Sequence, residues 1–172
     1  MNSISEHVGC CYSGIGPDYP SVLAKARKDC MTYDKMFRDK IPTFLLAKQL
    51  AELMQENTQR GGIRPFGISL LVGGVDHLGP KLYQVDPSGA FVAWKATAVG
   101  KNAEQAKDFL EKRYEDEMEL EDAIQVAMLT LREGFEGEMN EKNIEVGVID
   151  DKDATFRVLT PEEVKDRIEE AK

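Results

Sequence analysis

The chain has 172 residues, 42% hydrophobic and 31% charged, with a formal net charge of −9 and a pI near 4.8. That length suits one folded domain with a substantial core. The acidic balance excludes a surface for nucleic acid or anionic membrane, since both require positive charge. No apolar run reaches the length of a membrane span, and the N-terminus lacks the basic-then-apolar layout of a signal peptide. Three Cys give no even disulfide framework, so a reducing compartment, the cytoplasm or nucleus, is expected.

Along the chain, "HVGCCYS" (7–13) reads as an opening strand, and "GPDYP" turns it into a helix. Tyr19, Leu23, Ala26, Cys30, Tyr33 and Phe37 fall three and four apart on that helix. A second helix follows Pro42, with Leu46, Leu50, Leu53 and Met54 on one face, and Gly61-Gly62 is expected to end it. Three strands come next, "FGISLLVGG", "LYQV" and "AFVAWKATAV", the last two joined by the turn "DPSG". Two more helices are expected from Asn102, which with Gln105 reads as a capping box, and from Leu120, where an apolar stripe runs to Phe135. "NIEVGVID" and "TFRVL" read as a hairpin around "DKDA". "TPEEVKDRIEEAK" then begins a final helix with Thr160 at the N-cap, Pro161 at N1 and Glu163 at N3. Paired helices and turn-linked strands in this order predict an α+β fold, with two stacked antiparallel sheets sandwiched between helical layers.

Catalytic arrangements are scarce. Neighbouring side chains on a strand point to opposite faces, so Cys10 and Cys11 cannot both meet one ligand or substrate. They read as small buried hydrophobes, and His7, placed on the same strand, is badly set to serve Cys10. No CxxC or His cluster offers zinc ligands. His77 in "VDHLGP" reads as a solvated loop residue, and Ser88 in "DPSGA" lacks the flanks of a nucleophile elbow. "GGIRPFG" lacks the lysine and spacing of a phosphate loop, and the acidic run "EKRYEDEMELEDA" reads as a solvated helix end and first turn. No catalytic residue, cofactor site or metal site is expected.

Two stretches stand apart: "MQENTQRGGIRPFGISLLVGG" (54–74) and "YQVDPSGAFVAWKATAVGKN" (83–102). Their pattern, TQ-x-GG-x-RP-[FY]-G, a strand, DPSG and KATA-x-G, resembles the alpha-type subunits of the 20S proteasome over nearly the whole chain. "YSGIGPDY", "FLEKRY", "LEDAI" and "NIEVGV" narrow the resemblance to one alpha type. It implies a single alpha-type domain over residues 1–172 with the four-layer αββα fold of N-terminal-nucleophile hydrolases. It also implies a non-catalytic role in a hetero-heptameric alpha ring, with other alpha subunits, the beta subunits and regulatory particles as partners. The resemblance does not extend to the family's gating N-terminus, signature helix and first strand pair, nor to its activator-pocket lysine. These have no counterpart before His7 in this sequence, and the ring-building helices and outer sheet strands are what the resemblance covers.

The signature loop supplies the candidate site residues Gln59, Gly61, Gly62, Arg64 and Phe66. In one reading the glycines shape a turn that positions Arg64 and Phe66 for contacts within or between subunits. In the other it is a helix end followed by a strand, with Arg64 solvated. Two further functional readings stay open beside the ring subunit: an N-terminal-nucleophile hydrolase, and a free-standing interaction module of the same fold.

Overall fold

Helices and antiparallel strands follow the predicted order, with one strand more than the sequence suggested. The computed structural model describes residues 1–171, which divide into a unit of Met1–Lys95 with Ile149–Phe156 and a unit of Ala96–Val148 with Arg157 onward. The α+β expectation holds.

In the first unit, strands β1 (Asn2–Ser5), β2 (Val8–Gly14), β3 (Ile68–Asp76), β4 (Gly79–Val85) and β5 (Phe91–Trp94) form one antiparallel sheet in chain order. Helices α1 (Tyr19–Phe37) and α2 (Thr43–Gln59) separate β2 from β3. Alternation decides which side of the sheet is buried. Ile68, Leu70 and Val72 of β3 are buried. Cys10 pairs with Val72 on one flank, and Val85 and Tyr83 pair with Leu70 and Val72 on the other. These side chains share a core with Val22, Leu23, Ala26 and Cys30 of α1 and with Leu46, Ala47, Leu50, Ala51 and Met54 of α2. Both helices therefore present an apolar stripe at three- and four-residue spacing.

The start of α2 has no side-chain cap of its own, because Pro42 holds the N-cap position. Asp76, at the far end of β3, supplies the missing acceptor: its Oδ2 takes the Thr43 N–H at 2.9 Å and its Oδ1 takes that of Leu78 at 2.9 Å. Burial alone would raise this carboxyl, but the N–H donors of Leu78 and Thr43 hold it below its ordinary value. A carboxylate there also suits the helix dipole.

Three expectations are corrected. His7 is not on a strand: it lies in the turn between β1 and β2, because Asn2–Ser5 forms an unforeseen strand that folds back onto β2 with Ser5 opposite Val8. The strand starting near Ala90 stops at Trp94, where continued pairing would set Ala96 against Pro80, a residue with no N–H for the ladder. Asn102 stands at the N-cap as expected, its carbonyl taking the Ala106 N–H at 3.0 Å. The capping box with Gln105 does not form, since the Asn102 side chain makes no cap hydrogen bond there. Its backbone is left-handed (φ 59°) and its side-chain amide donates instead to Gly134 O at 2.9 Å, a free carbonyl at the end of another helix. Gly61-Gly62 follows the helix end as expected, directly after the C-cap Arg60, and Gly62 takes the positive φ of 79°.

The second unit contains α3 (Ala103–Arg113), α4 (Leu120–Gly134) and α5 (Pro161–Glu170), and β6 (Gly147–Ile149) pairs with β7 (Phe156–Val158) as the predicted hairpin. Ile124, Met128, Ile144, Leu159 and Val164 build its core. The capping box of α5 forms as expected: Glu163 N–H donates to Thr160 Oγ1 at 3.3 Å and Thr160 N–H to Glu163 Oε2 at 2.8 Å.

Leu50→Ala should cost about 2–5 kcal/mol, because Leu50 is 1% exposed and its neighbours fill both helix and sheet sides of the core. Thr160→Ala should cost only about 1 kcal/mol, the value of a lost N-cap. Denaturant unfolding of the two variants checks both figures and their order.

Candidate functional site

The signature loop is built on a cross-chain clamp. The turn after β2 carries Asp18, the last residue of a short 3-10 helix (Gly16–Asp18), and Asp18 is 9% exposed. From 46 residues along the chain, Arg64 reaches it with both terminal nitrogens: Nη1 to Oδ2 at 2.7 Å and Nη2 to Oδ1 at 2.6 Å. This is the two-pronged geometry that matches a guanidinium to a carboxylate. Gly67 N–H adds a third donor to Oδ2 at 2.9 Å, and Arg64 Nη1 also donates to Pro65 O at 3.0 Å. The loop therefore closes on its own end as well as on Asp18.

Backbone contacts extend the clamp into the sheet. Ile15 N–H donates to Gly67 O at 2.8 Å, and Gly14 pairs with Ile68 as the β2–β3 ladder begins. Gly14 has φ 127°, and a Cβ there would lie 2.1 Å from Gly67 O, so the crossing admits only glycine. Phe66 packs partly buried against the first unit's core, fixing the other end of the loop. Gln59, Gly61 and Gly62 stay exposed, as do Ile63 and Pro65. Of the residues singled out from the sequence, then, the structure brings Arg64 and Phe66 into contacts within the chain and leaves Gln59, Gly61 and Gly62 on the surface.

Asp18 is the site residue that the sequence did not reveal. Nothing local in "GPDYP" marks it, and its partner lies too far along the chain for any spacing rule to connect them. Its carboxyl is held at about 2, well below its ordinary value of 3.8, by the Arg64 guanidinium and the Gly67 N–H.

The thiols and imidazole near the start of the chain are arranged for packing. Cys10 Sγ and the Tyr19 hydroxyl lie 3.0 Å apart in the core, and Tyr19 stacks on Tyr12 with ring centroids 4.1 Å apart. Burial pushes the Cys10 and Cys30 thiols up to about 11 and raises that of Cys11, so the nucleophilic thiolate is suppressed at all three. His7 is 2% exposed. Its Nε2 donates to Ile41 O at 2.8 Å, which leaves Nδ1 to accept from the Ser5 hydroxyl at 3.1 Å, and neither nitrogen is free to act as a base. His77 and Ser88 are exposed, and Ser88 Oγ accepts the Ala90 N–H at 3.3 Å within its turn. Among the described residues no group of three or more His, Cys, Asp or Glu is placed to hold a metal ion.

Acid should loosen the clamp. A carboxyl depressed in the folded state stabilises above its unfolded value, and that contribution is lost as pH falls through the folded value. Wild type should therefore show an acid-sensitive step in loop order between the ordinary 3.8 and about 2. Asp18→Asn, which cannot titrate, should lack it, as checked by hydrogen exchange of residues 60–67 across that range.

Comparison with known proteins accords with this geometry. The family profile described as "Proteasome subunit" matches residues 1–149, a span that includes the whole clamp. The proteasome subunit alpha type-2 of Dictyostelium discoideum is 52% identical over 166 residues, covering 96% of this chain and 71% of the relative. The alpha type-2-A subunit of Arabidopsis thaliana is 53% identical over 170 residues, covering 99% of this chain and 72% of the relative. The alpha type-2 subunit of Drosophila melanogaster is 53% identical over 166 residues, with 96% and 70% covered. On the profile match and on this identity along almost its entire length, the chain belongs to the proteasome subunit family.

Proposed function

We propose that this chain is a non-catalytic structural subunit of the outer, alpha ring of the 20S proteasome core particle, acting as one alpha-type domain over residues 1–172 in protein degradation. The observation that carries this reading is its 52–53% identity, across 96–99% of its length, to relatives named alpha type-2 subunits. The chemistry of its thiols supports the non-catalytic part: burial raises all three above their ordinary value, and both nitrogens of His7 are engaged.

The partners proposed are neighbouring alpha subunits, the beta subunits on which the ring stacks, and regulatory particles, in the cytoplasm and nucleus. The signature loop supports the ring contact. Gln59, Gly61, Gly62 and Ile63 form an exposed rim whose position is set by Arg64 and Phe66. A surface held in place before docking loses little entropy on assembly, and much of the affinity of an interface comes from such preorganisation.

Native size fractionation of a cell extract, with the chain followed by its tryptic peptides, tests the proposal. Co-migration with peptidase activity in a very large particle is the expected result; a chain running alone near its own 19.3 kDa overturns it. Arg64→Ala should reduce incorporation into that particle several-fold, and Arg64→Lys, which keeps the charge but loses the fork, should fall between. Unchanged incorporation of Arg64→Ala would remove the loop from the interface.

A further inference from the structure

Buried residues on α2 stop at Met54, although the helix runs on to Gln59. Its last turn, from Gln55 to Gln59, leads straight into the exposed rim of the signature loop and buries no side chain of its own. A helix end in that position frays unless something outside the core holds it. The turn Asp86–Gly89, DPSG, between β4 and β5 meets the helix at this place.

The turn is firmly closed. Gly89 N–H donates to Asp86 O at 2.9 Å, Asp86 N–H donates to Ala90 O at 2.8 Å, and Gln84 Nε2 donates to Asp86 Oδ1 at 3.0 Å. Asp, Pro and Gly stand at the first, second and fourth places of the turn, where each is favoured. Gly89 has φ 85°, and a Cβ there would lie 2.5 Å from Gln55 Cβ and 2.8 Å from Ala51 O. The turn therefore lies directly on the helix, an approach that only glycine admits. Gly79, at the start of β4, has almost the same backbone angle, φ 84°, but a Cβ there would meet nothing within 4 Å. The two positions share the conformational need for glycine and differ in what lies beyond it.

We infer that Gly89 is a positioning residue for the signature loop. By letting the DPSG turn lie flush on Gln55, it fixes the last turn of α2 and with it the rim from Gln59 to Ile63, as Arg64 on Asp18 fixes the loop's other end. The inference rests on the proposed ring role for what the rim is for, and on packing alone for what holds it.

Gly89→Ala and Gly79→Ala form a matched pair, each placing alanine at a φ it rarely adopts. Both are followed by hydrogen exchange of the purified chain and by incorporation into the large particle. Gly89→Ala should exchange several-fold faster than Gly79→Ala at residues 59–63, while residues 68–72 of β3 exchange alike in the two. It should also enter the particle several-fold less. Asp86→Ala, which removes only the contact with Gln84, should act in the same direction more weakly and carries the test if Gly89→Ala fails to fold. Equal exchange at residues 59–63 in the pair, or a rise in Gly89→Ala shared evenly with residues 68–72, would make Gly89 an ordinary turn glycine and overturn the inference. Faster exchange with undiminished incorporation would overturn its part in assembly. If wild type itself enters no large particle, the ring role falls, and the exchange comparison still decides whether the turn holds the loop.

Discussion

One carboxylate holds the first unit's central crossing together. Asp18 accepts both prongs of Arg64 and the Gly67 N–H, and so ties the chain leaving β2 to the chain entering β3. Immediately beside it Gly14 faces Ile68, where the β2–β3 ladder begins. A slip of one residue in that ladder would turn Leu70 and Val72 out of the core they share with α1 and α2. The clamp and the close approach of Gly14 to Gly67 O leave little room for such a slip. The Arg64 head stays mostly in water while Asp18 is nearly covered, so the pair acts through its fixed geometry more than through deep burial.

That arrangement explains how a surface loop can be stiff. The residues between α2 and β3, 60–67, contain three glycines and a proline, a composition that would otherwise wander. Arg64 at the loop's far side and Phe66 against the core pin one end, and the C-cap of α2 pins the other through Arg60 N–H to Glu56 O at 3.2 Å. The exposed stretch between the two anchors is short. The same economy appears at the start of α2, where Asp76 from a distant strand does what Pro42 cannot. In both places an acidic side chain from one element finishes the hydrogen bonding of another.

Much of this fold was legible from pattern. The stripe of α1 as far as Tyr33, the stripe of α2, the apolar run of β3 and the capping box of α5 each follow from local pattern or a local motif and formed where expected. On α4, by contrast, Leu120, Ile124, Met128 and Phe135 pack, and Ala123, Ala127 and Leu131 stay exposed. What escaped was set by partners far away in sequence. Strand β1 is only four residues of Asn, Ser and Ile, and it exists because β2 is there to pair with it. Asn102 has the look of a cap, yet its amide finds a carbonyl 32 residues on. His7 seemed a strand residue with a doubtful base role, but a hairpin turn buries it against Ile41 O. In the candidate site, Arg64 and Phe66 were visible as a motif, while Asp18, which gives Arg64 its purpose, was not.

A structural subunit of an outer proteasome ring, with its signature loop held by Asp18 and Arg64, has a defined place in the particle. Electron cryomicroscopy of particles purified through an affinity tag on this chain can locate it. Density for the chain is expected in an outer ring, with Arg64 seated on Asp18 and the rim from Gln59 to Ile63 against a neighbouring subunit. Density for the chain in an inner ring, or purified particles that lack a ring altogether, would contradict that placement.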